Sequence, residues 1–191
     1  MFTQAAIFLL DTLFGLFTLA VLLRFYLQLV AAPFHNPVSQ GVVALTNFAV
    51  RPARRIIPSW GGLDISTLVL GFIAQLLLQV ATLWLRDYPV LVATTAAYSA
   101  IAGLALLALL RLSVYIFLYA VLLQVILSWV NPYTPAAPVL DRLTQPLLRP
   151  LQSRLGTSSG IDFSPLVVLI AAQLLLMLVV HPVEVQLLRL L

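Results

Sequence analysis

The stretch "RPARRIIPSWGGLDIS", Arg51–Ser66, returns 98 residues later as "RPLQSRLGTSSGIDFS", Arg149–Ser164. Worked outward without a gap, this register lays Pro37–Leu78 over Pro135–Leu176. Leucine coincidences mean little in so apolar a chain. The rarer matches carry the case: Pro37 with Pro135, Thr46 with Thr144, Arg51-Pro52 with Arg149-Pro150, Gly62 with Gly160, Asp64 with Asp162, Ser66 with Ser164, and Gln75 with Gln173. One unit is made twice, and each copy reads as span, basic linker, span.

Composition fixes the solvent. Hydrophobic residues make up 62% of the chain and charged residues 8%, with a mean hydropathy of +1.09. Soluble domains carry about a quarter charged residues, so this is an all-α integral membrane protein. Stretches near the roughly 20 residues needed to cross lipid occur at Ala5–Val30, at Ser66–Leu85, within Val90–Val130 and at Phe163–Val180. The first does not read as a cleaved signal, because no Lys or Arg precedes it and no small-residue cleavage site follows. The absence of cysteine excludes disulfides, thiolate metal sites and cysteine nucleophiles.

The linkers have a helical period. In the first, Val38, Val42, Leu45, Ala49, Ala53 and Ile56 recur at steps of three or four, with Gln40, Asn47, Arg51, Arg54 and Arg55 on the other side. In the second, Leu140, Leu143, Leu147, Leu151 and Leu155 stand against Arg142, Gln145, Arg149 and Gln152. Such helices, over about 38–57 and 139–155, are too polar on one face to span, and their arginines suit anionic headgroups. They are expected to lie in the membrane interface. Pro52, Pro146 and Pro150 are expected to kink or break them.

After each linker the chain re-enters the membrane. Gly62 and Gly160 permit a sharp turn. Ser66 and Ser164 have the chemistry of helix N-caps, and Pro165 suits a first helical position. Asp64 and Asp162 lie near the positive helix ends, 13 residues after Arg51 and Arg149, which are their expected ion-pair partners.

Six of the ten arginines, Arg51, Arg54, Arg55, Arg142, Arg149 and Arg154, fall in the linkers. The positive-inside rule puts both linkers in the cytoplasm, which requires an even number of crossings between them. Four spans in a multi-pass inner (plasma) membrane protein follow, with both termini outside and the two repeats parallel. The first repeat covers 1–89, with spans at about 5–30 and 66–85; the second covers 90–191, with spans at about 111–130 and 163–180. The 41 residues from Val90 to Val130 would measure roughly 60 Å as one helix. Residues 90–110 are therefore expected as an interfacial or folded-back extension. A fifth crossing there would invert the second repeat and expose its arginines outside.

These residues resemble the YggT family, small integral membrane proteins of bacteria and plastids that often carry the same duplication. The resemblance rests on the Leu-Thr, Arg-Pro, Gly-x-Asp and Ser-Pro elements of "LTNFAVRPARRIIPSWGGLDIS" and "LTQPLLRPLQSRLGTSSGIDFSP" and covers nearly the whole chain. The copies depart from the pattern in complementary ways. The first has Phe48 and Thr67 where the family favours proline, and the second has Gln152-Ser153 in place of Arg54-Arg55. The resemblance implies no established activity. It does imply associations with osmotic and ion homeostasis, with division and septum organisation and, in plastids, with haem attachment to cytochrome b6.

Enzyme chemistry finds little support. His35 and His181 fall on opposite sides of the membrane in a four-span topology; His35 reads as a loop residue and His181-Pro182 as a helix end. No phosphate-cradling glycine loop, HExxH or GxSxG occurs. No cofactor is expected, and no nucleic-acid partner, because the net charge of +4 is accounted for by linkers that topology explains. Gln75 and Gln173 lie nine residues past the serines, about 13 Å into the bilayer. They suit interhelical hydrogen bonding or, alternatively, a polar constriction lined further by Gln28, Gln79 and Gln124. Arg24 and Asp11 read as snorkelling residues near opposite ends of the first span. The expected role is a non-enzymatic scaffold or assembly factor in envelope maintenance, acting on anionic lipid headgroups and on membrane or division proteins. The alternative is a small channel or transporter component in ion balance, working as a homo-oligomer.

Overall fold

The computed structural model describes residues 1–58, 63–155 and 162–191, and all elements within them are helices. α1 (Phe2–Leu29), α3 (Ile65–Leu85) and α4 (Thr95–Val130) are apolar and long enough to cross a membrane, as is the continuous rod Ser164–Leu188. That rod comprises α6 (Ser164–Leu175), a π-helical turn (Leu176–Val180) and α7 (His181–Leu188). Between the spans lie the two linker helices, α2 (Pro37–Ile56) and α5 (Ala137–Leu155).

Local chemistry sets the helix starts. Asn36 caps α2 by accepting the Val38 amide at 2.9 Å, and Pro37 takes the first turn, where its missing donor costs nothing. Thr94 caps α4 through the Ala97 amide at 3.2 Å. α2 runs on through Pro52, and α5 through Pro146 and Pro150, so the prolines do not break the linker helices.

The stretch expected to fold back instead joins its span. After a single 3₁₀ turn at Val90–Val92, α4 continues unbroken for 36 residues, about 54 Å at the α-helical rise. Thr95–Leu110 holds no glycine–proline signal that would end a helix, and its alanines and leucines favour one. Arg111, inside this helix, is not at a membrane turn; it pairs with Glu184 on α7. His181-Pro182 is likewise no helix end. The π turn before it carries a hydrogen bond from the His181 amide to the Leu176 carbonyl, a local rearrangement of the kind that lets a helix pass a proline.

α3 packs along both α1 and α4, and α6 leans on α4 and α5. Gly71 allows the close approach of three helices: a Cβ there would meet the Leu109 side chain at 3.3 Å and Thr18 at 3.8 Å. The buried core joins Leu22 of α1, Ile116 and Ala120 of α4 and Leu143 of α5. Val42 of α2 and Val139 of α5 share a second cluster with Leu27 and Ala32, and Asn36 donates to the Pro135 carbonyl. The two linker helices therefore meet at one end of the bundle.

Candidate functional site

Where linkers join spans, polar side chains form two related clusters. In the first copy Asp64 is nearly inaccessible, and Arg54 donates to its Oδ2 from Nε at 3.0 Å and from Nη2. Ser66 donates to the other carboxylate oxygen, while the Thr67 hydroxyl donates to the Asp64 carbonyl at 2.6 Å. Arg54 reaches further, to Gln28 Oε1 on α1 at 3.0 Å. Burial by itself would raise the Asp64 pKa; the hydrogen bonds from Arg54 and Ser66, with the Arg54 charge, outweigh it and hold the carboxyl below its ordinary value.

The second copy repeats this with a neutral donor. Gln152, which stands 98 residues after Arg54, donates to Asp162 Oδ2 at 2.7 Å, and the Ser164 amide donates to Oδ1 at 2.8 Å. Desolvation pushes the Asp162 carboxyl up, and the Ser164 and Gln152 hydrogen bonds bring it below the usual range. The partners expected from spacing, Arg51 and Arg149, are replaced by the residues three positions on. Three residues turn a helix by roughly 300°, which carries position 54 from the outer face to the edge nearest α3. The capping roles also change: Asp64 precedes the first residue of α3, Asp162 accepts an amide at the start of α6, and the serines stand inside the first turn. Pro165 occupies that first turn as expected. Gly62 and Gly160 lie outside the described residues.

A second pair of contacts was missed by sequence reading. Arg24 does not snorkel: it is 6% exposed, and its Nη1 donates to Thr46 Oγ1 at 2.9 Å and Asn47 Oδ1 at 3.0 Å on α2. In the other copy Gln124 of α4 donates to Asp141 at 2.7 Å and accepts from the Thr144 hydroxyl on α5. Arg24 and Gln124 correspond at a shift of 100, where "AVLL" at 20–23 matches "AVLL" at 120–123. The gapless shift of 98 conceals this, because the second copy is two residues shorter between span and linker. The signal was the Leu-Thr pair in each linker, Leu45-Thr46 and Leu143-Thr144, whose threonines are the anchoring groups.

Arg51, Arg55, Arg142, Arg149 and Arg154 are exposed, with no hydrogen-bond partner among the described residues. Arg142 and Arg149 flank an open polar depression of about 400 Å³ with Asp141 and Gln145. On α2 the packed residues are Ser39, Val42, Thr46 and Val50, while Leu45, Phe48 and Ile56 stay exposed at 68%, 74% and 82%. The packed face is thus rotated roughly 70° from the centre of the apolar stripe read from sequence. Three faces result: one against the bundle, one apolar and uncovered, one cationic. α5 is closer to expectation, with Leu143 buried and Leu140 and Leu151 packed on neighbouring clusters.

The glutamines do not converge on a common path. Gln75 is buried and donates to Thr18 Oγ1 of α1 at 3.0 Å, whereas Gln173 is exposed on α6. Gln28 and Gln124 serve the linker clusters. Among the described residues no group of three His, Asp or Glu side chains gathers as a metal site would require.

A model of the CCB3/YggT family matches residues 3–85 and 103–183. An uncharacterised protein of Pseudomonas aeruginosa is 40% identical over 181 residues, which cover 93% of this chain and 89% of that protein. YggT of Escherichia coli K12, also uncharacterised, is 34% identical over 164 residues, with 85% and 82% coverage. An uncharacterised protein of Haemophilus influenzae is 30% identical over 168 residues, covering 87% and 86%. No solved structure matches the chain.

Proposed function

The chain belongs to the CCB3/YggT family, and from that premise we propose that it is a non-enzymatic scaffold or assembly factor of the inner membrane. It presents two basic interfacial helices at the cytoplasmic face to anionic lipid and to partner proteins of envelope maintenance, in cell division or under osmotic stress. One observation carries the reading. Each linker helix is fastened at two points: α2 by Arg24 from α1 and by its own Arg54 to Asp64, and α5 by Gln124 from α4 and by its own Gln152 to Asp162. This fastening uses Arg54 of the first linker and no arginine of the second, and it leaves Arg51, Arg55, Arg142, Arg149 and Arg154 outward. Exposed guanidinium groups beside exposed Leu45, Phe48 and Ile56 suit a headgroup layer, with charge above and acyl chains below.

The attraction should be worth roughly 1 kcal/mol per arginine near an anionic surface and should weaken with salt. Purified protein in mixed micelles is expected to retain anionic over neutral phospholipid. Replacing Arg51, Arg55, Arg142 and Arg149 by glutamine, with Arg54 kept, should reduce that preference several-fold without changing Tm. Equal retention of both lipids, or an ion flux in liposomes abolished by Gln75→Leu, would point to the channel class instead.

A further inference from the structure

Gln173 is an amide in the wrong solvent. It stands nine residues into α6, about 13 Å from the start of the span and near the middle of a hydrocarbon layer about 30 Å thick. It is exposed on the chain's surface, and no described residue hydrogen-bonds to it. Its repeat counterpart, Gln75, is 3% exposed and bonded to Thr18 of α1. The equivalent of Thr18 in the second copy, at the shift of 100 that relates α1 to α4, is Leu118, which offers no acceptor. So one copy satisfies its glutamine within the chain and the other presents it outward, where lipid tails cannot satisfy it.

The surface around Gln173 is uncovered and apolar. Leu166, Ile170, Leu174, Met177 and Leu178 are exposed at 53%, 52%, 48%, 67% and 64%, and among them Leu166, Ile170, Gln173 and Met177 follow steps of four, three and four residues. That is the spacing of a helix–helix seam with one polar position, the arrangement that fixes register in paired helices. The stripe lies roughly 160° round α6 from Val168, the residue that packs toward α4 and α5. It therefore faces away from the rest of the chain.

We propose that this stripe is a homodimer interface in which α6 pairs with α6 of a second copy and the two Gln173 side chains hydrogen-bond to each other. The occupant follows from the chemistry. Copies inserted the same way round are related by a two-fold axis along the membrane normal, which brings the same residue to the same depth. A primary amide both donates and accepts, so two of them are complementary without any other group. No such partner is guaranteed on an unrelated helix.

The chain has no cysteine, so single substitutions report cleanly. In native membranes under mild oxidation, Ile170→Cys and Met177→Cys in the full-length protein are expected to give a disulfide-linked band of twice the chain mass. Leu77→Cys on α3 and Leu13→Cys on α1, which are equally exposed at 53% and 64%, should stay monomeric. In labelled protein reconstituted into vesicles, Gln173→Leu should weaken dimerisation about threefold to tenfold, and Gln173→Asn should restore part of it. Equal cross-linking at the control positions, a cross-linked band of any other mass, or dimerisation indifferent to Gln173→Leu would overturn the proposal.

Discussion

Asp64 is held from several directions at once, by the guanidinium of Arg54, the hydroxyl of Ser66 and the first turn of its own helix. A carboxylate so buried must be paired or it becomes costly, whereas Arg54 keeps 43% of its side chain exposed and is screened by solvent. The coupling between them should therefore be about 1 kcal/mol, well short of a fully buried pair. A double-mutant cycle of Arg54→Gln and Asp64→Asn on detergent stability should read that coupling. The same cycle with Arg51→Gln in place of Arg54→Gln should be additive. The pH dependence has a defined sign, because the folded pKa of Asp64 lies below its unfolded value. The stability it contributes is present above the unfolded value of about 3.9 and is lost as pH falls through the lower folded value. Wild-type protein should accordingly lose stability on acidification through this range, and Asp64→Asn should lack that part of the loss while being less stable at neutral pH. Sequence spacing identified Asp64 and Asp162 but chose the wrong partners, because a separation of 13 residues does not say which side of a helix faces the carboxylate.

At the scale of elements, the linker helices were legible from their period, but the packed face of α2 was not. Its apolar residues outnumber the positions that the bundle covers, so Ser39 and Thr46 pack inward while Leu45, Phe48 and Ile56 remain uncovered. Thr46 is drawn inward by the Arg24 hydrogen bond, an interaction between two helices that no window along one helix can display. If the uncovered side rests on acyl chains, Phe48→Trp should show tryptophan fluorescence quenched by lipids brominated near the headgroup and little affected by aqueous iodide. The reverse would leave α2 as a water-exposed helix. α4 is hard to read for a different reason: a run of Ala and Leu has no internal mark that separates a span from its continuation, so Thr95–Leu110 reads apart from the helix that it begins.

The whole molecule rests on duplication. Rare residues made the repeat visible, and the chain alone pointed to the four apolar helices and to the family. The differences between the copies were less visible, since Gln75 and Gln173 match in sequence yet one finds Thr18 and the other faces outward. Packing between spans decides that, and leucine-rich segments encode it weakly. The central claim is the proposal that both linker helices lie on one side of the membrane, which their meeting through Val42 and Val139 supports, and that this side is the cytoplasmic one, for which the arginine distribution argues. Single cysteines at Gln40 on α2 and Ser153 on α5, both exposed, test it most directly. In intact spheroplasts neither should react with a membrane-impermeant maleimide until the membrane is permeabilised, and then both should; labelling of one but not the other from outside would contradict the four-span, parallel arrangement.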